Sequence, residues 1–318
     1  MAVMSYDDAD TDIHVGGPAP ARPAARRRPN WGRVLAWAVL IAILAATLFP
    51  FWWVLRTALS NNHALASQAG SLLPADLTLG GFRRVLGLST LEEAQAQGGS
   101  GSSLNFWGYL RNSVIVCTLI TVGQVFFSAM AAYAFARLRW RGRETVFFVF
   151  LLALMIPPIF TFLPNFVLIK QLGLLNTYAG IVAPFLFMTP FAVFFLRQFF
   201  LGISHEVEEA AMIDGAGHFR IFARIILPMS NAPLATLSIL TYILAWNEYL
   251  WPLMVGSGED VRVLTVALGV FRQQEPVGGA PDWAGLMAGT FLAAVPVIVL
   301  FLVFGRRIVN SIQFSGLK

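Results

Sequence analysis

Few residues of this chain are of the types that do covalent chemistry, and their spacing suits none of it. Only two lysines occur, Lys170 and Lys318, and neither stands in a Gly-rich G-K-S/T setting, so the chain has no loop to cradle nucleotide phosphates. The histidines His14, His63, His205 and His218 fall on different stretches or at spacings unlike the paired histidines of a zinc hydrolase. The single Cys117 lies in an apolar run, which excludes an intrachain disulfide and paired-cysteine metal sites. Ser204-His205-Glu206 resembles a catalytic triad in letters only. Consecutive helical residues fan out around the axis, whereas a triad converges in space. Asp7, Asp8, Asp10 and Asp12 could bind a cation, but beside four prolines and Arg26-Arg27-Arg28 they read as a solvated tail. Two polar stretches then stand out against apolar surroundings: Glu209 to His218, and Asn247-Glu248 inside an apolar run.

The first stretch is helix-prone on both sides of a turn. His205 to Ile213 carries Val207, Ala210 and Ala211 at helical spacing, and Phe219 to Leu227 carries Phe219, Phe222, Ile225 and Ile226. Asp214 is expected to accept hydrogen bonds from the second helix, with Gly215 and Gly217 easing the backbone and Pro228 closing that helix. Spacing alone serves a docking loop and a plain connector equally well. Asn247 and Glu248 are costly in a bilayer unless they face protein or water. They could line a translocation path, pin a helix–helix contact or snorkel to the interface.

The elements around these stretches are membrane spans. At 57% hydrophobic and 12% charged, with mean hydropathy +0.68, the chain is too apolar for a soluble globule. Spans are expected at 34–55, 113–135, 146–167, 179–196, 234–255 and 284–304, giving an all-α polytopic bundle of six transmembrane helices. The first shows no small-residue cleavage site and should remain as an anchor. The third is kinkable at Pro157-Pro158, and the fourth contains Pro184 and Pro190. Gly285 and Gly289 give the sixth a small-xxx-small face for another helix. Residues 1–33 should form a disordered tail. Residues 56–112 make a long loop with a Gly/Ser linker at 98–103 and a helical pattern near Phe82 to Leu88; 197–233 hold the polar loop and 305–318 a tail. The sixth helix is expected to stop or bend near Arg306 and Arg307.

Charge orients the bundle. The side shared by both termini, the 136–145 turn and the polar loop holds 15 Lys and Arg, against 7 on the other, over nearly equal loop lengths. The positive-inside rule therefore puts both termini and the polar loop in the cytoplasm of a cell-membrane protein. The pI near 9.8 is a topology signal, since the arginines are spread over loop ends; no nucleic-acid site is indicated. Aromatic residues could stack on sugar rings or sit in interfacial belts.

The order Glu209-Ala210-Ala211, then Gly215, then Ile225, Leu227 and Pro228 resembles the cytoplasmic EAA loop of membrane subunits in ATP-binding-cassette importers. Trp246-Asn247-Glu248-Tyr249-Leu250-Trp251-Pro252-Leu253 resembles the fifth span of the carbohydrate branch, the one containing the maltose-type transporters. The two motifs together cover a likeness from Val34 to Lys318, with one departure: Ser204 stands where many relatives carry proline.

The resemblance implies a type I importer (MetI-like) transmembrane domain. It implies a permease subunit that hydrolyses no ATP, paired with a second permease subunit, two ATPase subunits and an extracellular solute-binding protein that delivers a sugar. ATP and magnesium would be held by the ATPases, with no cofactor on this chain. Glu209, Ala210, Ala211, Asp214, Gly215, Ala216, Ile225, Leu227 and Pro228 would form the ATPase-coupling loop. Trp246, Asn247, Glu248 and Tyr249 are candidates for the translocation path. The ending Gln313 to Lys318 resembles the maltose-type tail that reaches between the ATPases, which makes Ser315, Gly316, Leu317 and Lys318 candidate contacts. A stand-alone secondary transporter would instead show broken half-helices and paired intramembrane charges in matching halves. A membrane-embedded enzyme would need a carboxylate cluster, metal ligands or a nucleophile in the spans, and none stands out.

Overall fold

The computed structural model describes residues 31–99, 104–273 and 281–313, with side chains through Phe304. Every regular element among them is helical. The chain divides between Phe49 and Pro50 into two units. In the first lies most of the helix Trp31–Ala58, whose Thr47 hydroxyl donates to the Ile43 carbonyl and so satisfies itself within an apolar stretch. That helix runs past Leu55, where the sequence places the span's end.

The second unit is built round the helix Phe106–Ala136, which starts earlier than the expected span at 113. Its buried Ala129, Ala132 and Ala136 present little bulk, so Val193, Leu196 and Phe200 of the fourth span pack closely on it in one cluster with Ile221, Phe222 and Ile226. Val116 and Ile120, nearer its start, join Ile181, Trp251 and Val255 in a second cluster.

Three of the expected spans are broken. The third consists of Arg143–Leu152 with a tight turn to Met155, then Pro158–Gln171 at 94°. A kink was expected at this place within one span of 146–167. Ile156, preceding a proline, is forced extended, Pro157 is extended too, and Pro158 starts a new helix. The fourth, expected over 179–196, is Tyr178–Val182 with a turn at Ala183–Phe185, then Pro190–Leu201 bent by 51°. Thr189 restarts it by accepting the Ala192 N–H. The fifth runs Asn231–Asn247, not to Val255, and follows an arm, His218–Met229, that bends away by 80°. With each bent pair counted as one crossing, the described residues hold helices long and apolar enough for up to six membrane crossings.

The sixth helix, Trp283–Gln313, does not stop at Arg306 and Arg307. No Gly or Pro lies between Arg306 and Gln313, and arginine is itself a good helix former. The small-xxx-small face serves within the chain: a Cβ on Gly289 would meet Leu268 Cδ2 at 2.4 Å, so Leu264–Gln273 lies tight against the sixth helix.

The 56–112 segment is more ordered than a loop. It forms Asn62–Ser67, Gly80–Val85 and Leu91–Ala96, the last with a capping box of Thr90 and Glu93. Arg84 binds Asp282 through two 2.8 Å bonds and donates to Gln97, all buried or nearly so. Asn62 donates to the Gly98 and Pro281 carbonyls and accepts the Ala284 N–H. These bonds fasten the segment to the start of the sixth helix. Most of the expected linker, 100–103, and the expected tail through residue 30 lie outside the described residues.

Candidate functional site

The polar loop is a helix, a reversal and a second helical arm. The first helix, His205–Ile213, has the bounds read from the sequence, and Ser204 is its cap, accepting the Glu206 N–H at 3.3 Å. A serine thus starts the helix at the place where the resembling loops carry proline. At the far end Gly215 takes φ +81°, its N–H bonds the Met212 carbonyl, and the Ala216 N–H bonds the Ala211 carbonyl at 2.9 Å. That is a Schellman stop, which requires a left-handed residue and brings Ala211 and Ala216 together. Asp214 is the C-cap of the first helix, contrary to the expectation that it caps the second. The reversal at Gly215 intervenes, and Gly217 precedes the second helix without a side-chain cap.

The second arm is not the uniform helix expected over 219–227. His218–Ile221 is α, Phe222–Ile226 is a π turn, and Leu227–Met229 is α again. Pro228 has no N–H, and its ring would clash with the Arg224 carbonyl in an α ladder, so the preceding turn widens.

Burial sorts the loop into two faces. Ile221, Phe222 and Ile226 are buried, and Ala211, Ala216, Ile225 and Leu227 pack partly buried against the same cluster. Glu209, Ala210, Asp214, Gly215 and Pro228 are exposed. Beside them Ile213 is 87% and Phe219 70% exposed. An exposed carboxylate and two large exposed apolar side chains give the loop both charge and apolar surface to present outward.

Two further residues belong to this site and were not singled out from the sequence. Glu208 is buried, and its Oε1 stands 3.0 Å from Arg137 Nε at the end of the second span. The same guanidinium lies 3.0 Å from His205 Nδ1 and donates to the Phe200 and Ile203 carbonyls. In sequence Arg137 is one of four arginines in a short turn; the signal was that it adjoins the apolar run directly. Nearby, Arg197 binds both Glu144 oxygens at 3.0 Å and lies over the Phe147 ring.

A cavity of about 470 Å³ opens between the second, third, fourth and fifth spans. Its wall is apolar apart from Gln124, Thr189, Thr241 and Glu248. Of the four candidate path residues, Glu248 lines it. Its carboxylate also accepts the Trp251 N–H at 3.2 Å, restarting the chain as Leu250–Val255. Asn247 donates to the Ile243 carbonyl of its own helix. Trp246 is buried and donates to the Ala293 carbonyl of the sixth helix. Tyr249 is half-buried against Gly269. Ser315 to Lys318 lie outside the described residues.

The described residues form a helical bundle of membrane spans, three of them broken, with a cavity between spans and a polar loop of two helical arms. The chain belongs to the family of binding-protein-dependent transport system inner membrane components, whose model matches residues 124–313. It is a permease of the inner membrane. It is 33% identical over 92% of its length, and 91% of the relative's, to the probable ABC transporter permease protein YurM of Bacillus subtilis. It is 30% identical over 90% of its length, and 97% of the relative's, to the sn-glycerol-3-phosphate transport system permease protein UgpE of Escherichia coli K12. The arabinooligosaccharides transport system permease protein AraQ of Halalkalibacterium halodurans is 37% identical over 67% of this chain and 75% of its own. The fold is shared, at TM-score 0.73 and 24% identity over 90% of this chain and 99% of the other, with a bacterial ABC transporter involved in the import of the acidic polysaccharide alginate.

Proposed function

We propose that this chain is the membrane-spanning half of a carbohydrate importer, working with a second permease subunit, two ATP-binding-cassette ATPases and an extracellular binding protein. Relatives named for arabinooligosaccharide and glycerol phosphate transport support a polyhydroxylated solute. Charge asymmetry supports cytoplasmic termini and a cytoplasmic polar loop. The observation that carries the reading is the loop's outer surface: Glu209, Ile213 and Phe219 are exposed on a scaffold anchored by a buried inner face.

In this mechanism ATP is bound with magnesium by the partners alone. Closure of the ATPase pair draws the loop of each permease subunit inward, and the attached spans rock from inward-open to outward-open. The loop does no chemistry; it converts a rigid-body displacement into a change of cavity access. ATP-driven uptake by proteoliposomes holding the reconstituted complex, screened against candidate sugars, tests the whole reading. This chain alone should hydrolyse no ATP and move no solute. Hydrolysis by the pure chain would overturn the assignment.

A further inference from the structure

We propose that Arg137 is the positioning residue that carries movement of the polar loop into the translocation cavity. This rests on the reading of the loop as the ATPase-docking segment. The side chains of Arg137 and Glu208 are 1% and 7% exposed, and one guanidinium joins three elements. It ends the second span, pairs with Glu208 and His205 in the first turn of the loop helix, and takes the Phe200 and Ile203 carbonyls where the fourth span ends. The Phe200 carbonyl also accepts the Ile203 N–H, so the guanidinium binds the turn that closes the fourth span. Arginine alone among side chains offers donors on several edges of one rigid plane.

Stability is a poor explanation for this cluster. A buried ion pair is often no better than apolar packing of the same volume, so its distinctive property here is geometric: it fixes direction and register between elements. Glu209 beside it is exposed, so docking and latching are assigned to adjacent residues, one turned outward and one inward, on one helix.

The second span is suited to relay the displacement. It runs unbroken over Phe106–Ala136, whereas the third, fourth and fifth spans break at Pro158, Thr189 and Glu248, all on the cavity wall. Val116, Ile120 and Gln124 of this rod line the cavity. Near its other end Asn112 donates to the Asp260 and Arg262 carbonyls and accepts the Tyr178 hydroxyl, while Ser113 accepts the Leu264 N–H. A shift of Glu208 therefore reaches Gln124 through one rigid helix. The fourth and fifth spans also reach the cavity wall, at Phe191 and at Leu237, but each breaks beside the cavity, whereas this helix runs unbroken past it.

The test uses the complete complex in proteoliposomes and reads solute moved per ATP hydrolysed, together with the amount of assembled complex. Arg137→Gln alone leaves a lone buried carboxylate and should lower assembly. The double variant Arg137→Gln/Glu208→Gln leaves two amides that can bond each other. It should assemble and hydrolyse ATP, with solute moved per ATP reduced roughly 5–150-fold, the range of typical coupling energies. An unchanged ratio would make Arg137 a structural residue only. Should the double variant not assemble, Arg137→Lys, which keeps the charge pair but loses the forked contacts, carries the test by the same ratio. Gly215→Pro, run in parallel, separates the two readings. Normal transport there overturns the docking loop itself, while uncoupling there with a normal ratio in the Arg137 variants overturns only the latch.

Discussion

Glu208 and Glu209 are neighbours in the chain with opposite surroundings, and the difference follows from one distant arginine. Read by period, the loop helix has an apolar face of Val207, Ala210 and Ala211. Yet Val207 and Ala210 are exposed, and the inward face carries Ala211 with Glu208. A glutamate cannot be buried without a partner, and the partner, Arg137, arrives from another span. Hydrophobic periodicity cannot register such a pair, so the polar stretch at Glu209 stood out in the sequence and the Arg137–Glu208 pair did not. Gly215 was legible for a local reason, because the left-handed turn it makes is a property of the backbone. A Cβ there meets nothing within 4 Å, so Gly215→Ala costs only the strain of its φ, roughly 1–2 kcal/mol. Gly215→Pro cannot reach φ +81° and also removes the N–H that bonds Met212. We expect Gly215→Pro, and Glu209→Ala through loss of an exposed carboxylate, to leave the chain inserted but abolish most uptake. Wild-type uptake with unchanged ATPase association in both would reduce the loop to a connector. Glu248 is a separate case, serving as helix restart and as cavity wall at once. Glu248→Gln keeps an oxygen for the Trp251 N–H, so the melting temperature should hold while uptake falls; equal uptake would assign Glu248 to the helix restart alone.

At the scale of elements, the prolines marked where spans break but not how far they bend. Pro157-Pro158 and Pro190 each begin a new helix, as local backbone rules require. The bends of 94° and 51° are decided by what the second arm packs against, Trp251 and Val255 in one case and Ala132 and Ala136 in the other. The fifth span ended early because Asn247 and Glu248 turn their polar groups on the backbone, and a hydropathy run does not distinguish that from continuation. The helices between Asn62 and Ala96 were the least legible elements. Their anchor, Arg84 to Asp282, joins residues 198 apart in sequence. With both side chains almost fully buried, Asp282→Asn leaves an uncompensated guanidinium, which costs about 3–5 kcal/mol in comparable buried pairs. The variant should show a lower melting temperature in detergent and protease cleavage within 59–105, and wild-type resistance would mean that the pair is dispensable.

For the whole molecule, the continuity of the sixth helix changes what the C-terminal residues can reach. A helix that stopped at Arg306 and Arg307 would leave Ile308, Val309 and Ile312 to lie on the membrane surface as a separate amphipathic turn. The helix instead persists to Gln313, which carries the chain roughly 13 Å beyond Phe304 at the ordinary helical rise. On the proposed orientation, that length extends on the side of the polar loop, where the proposed ATPase partners would dock. The Lys318 ammonium is of a type that forms charge-assisted bonds with a protein partner. Deletion of Ser315 to Lys318 leaves every span, the latch and the loop's outer face intact. The truncated chain should therefore insert and pair with the second permease as before, while transport-coupled ATP hydrolysis by the complex falls. Full-rate hydrolysis and uptake by the truncated complex would return the tail to the membrane surface.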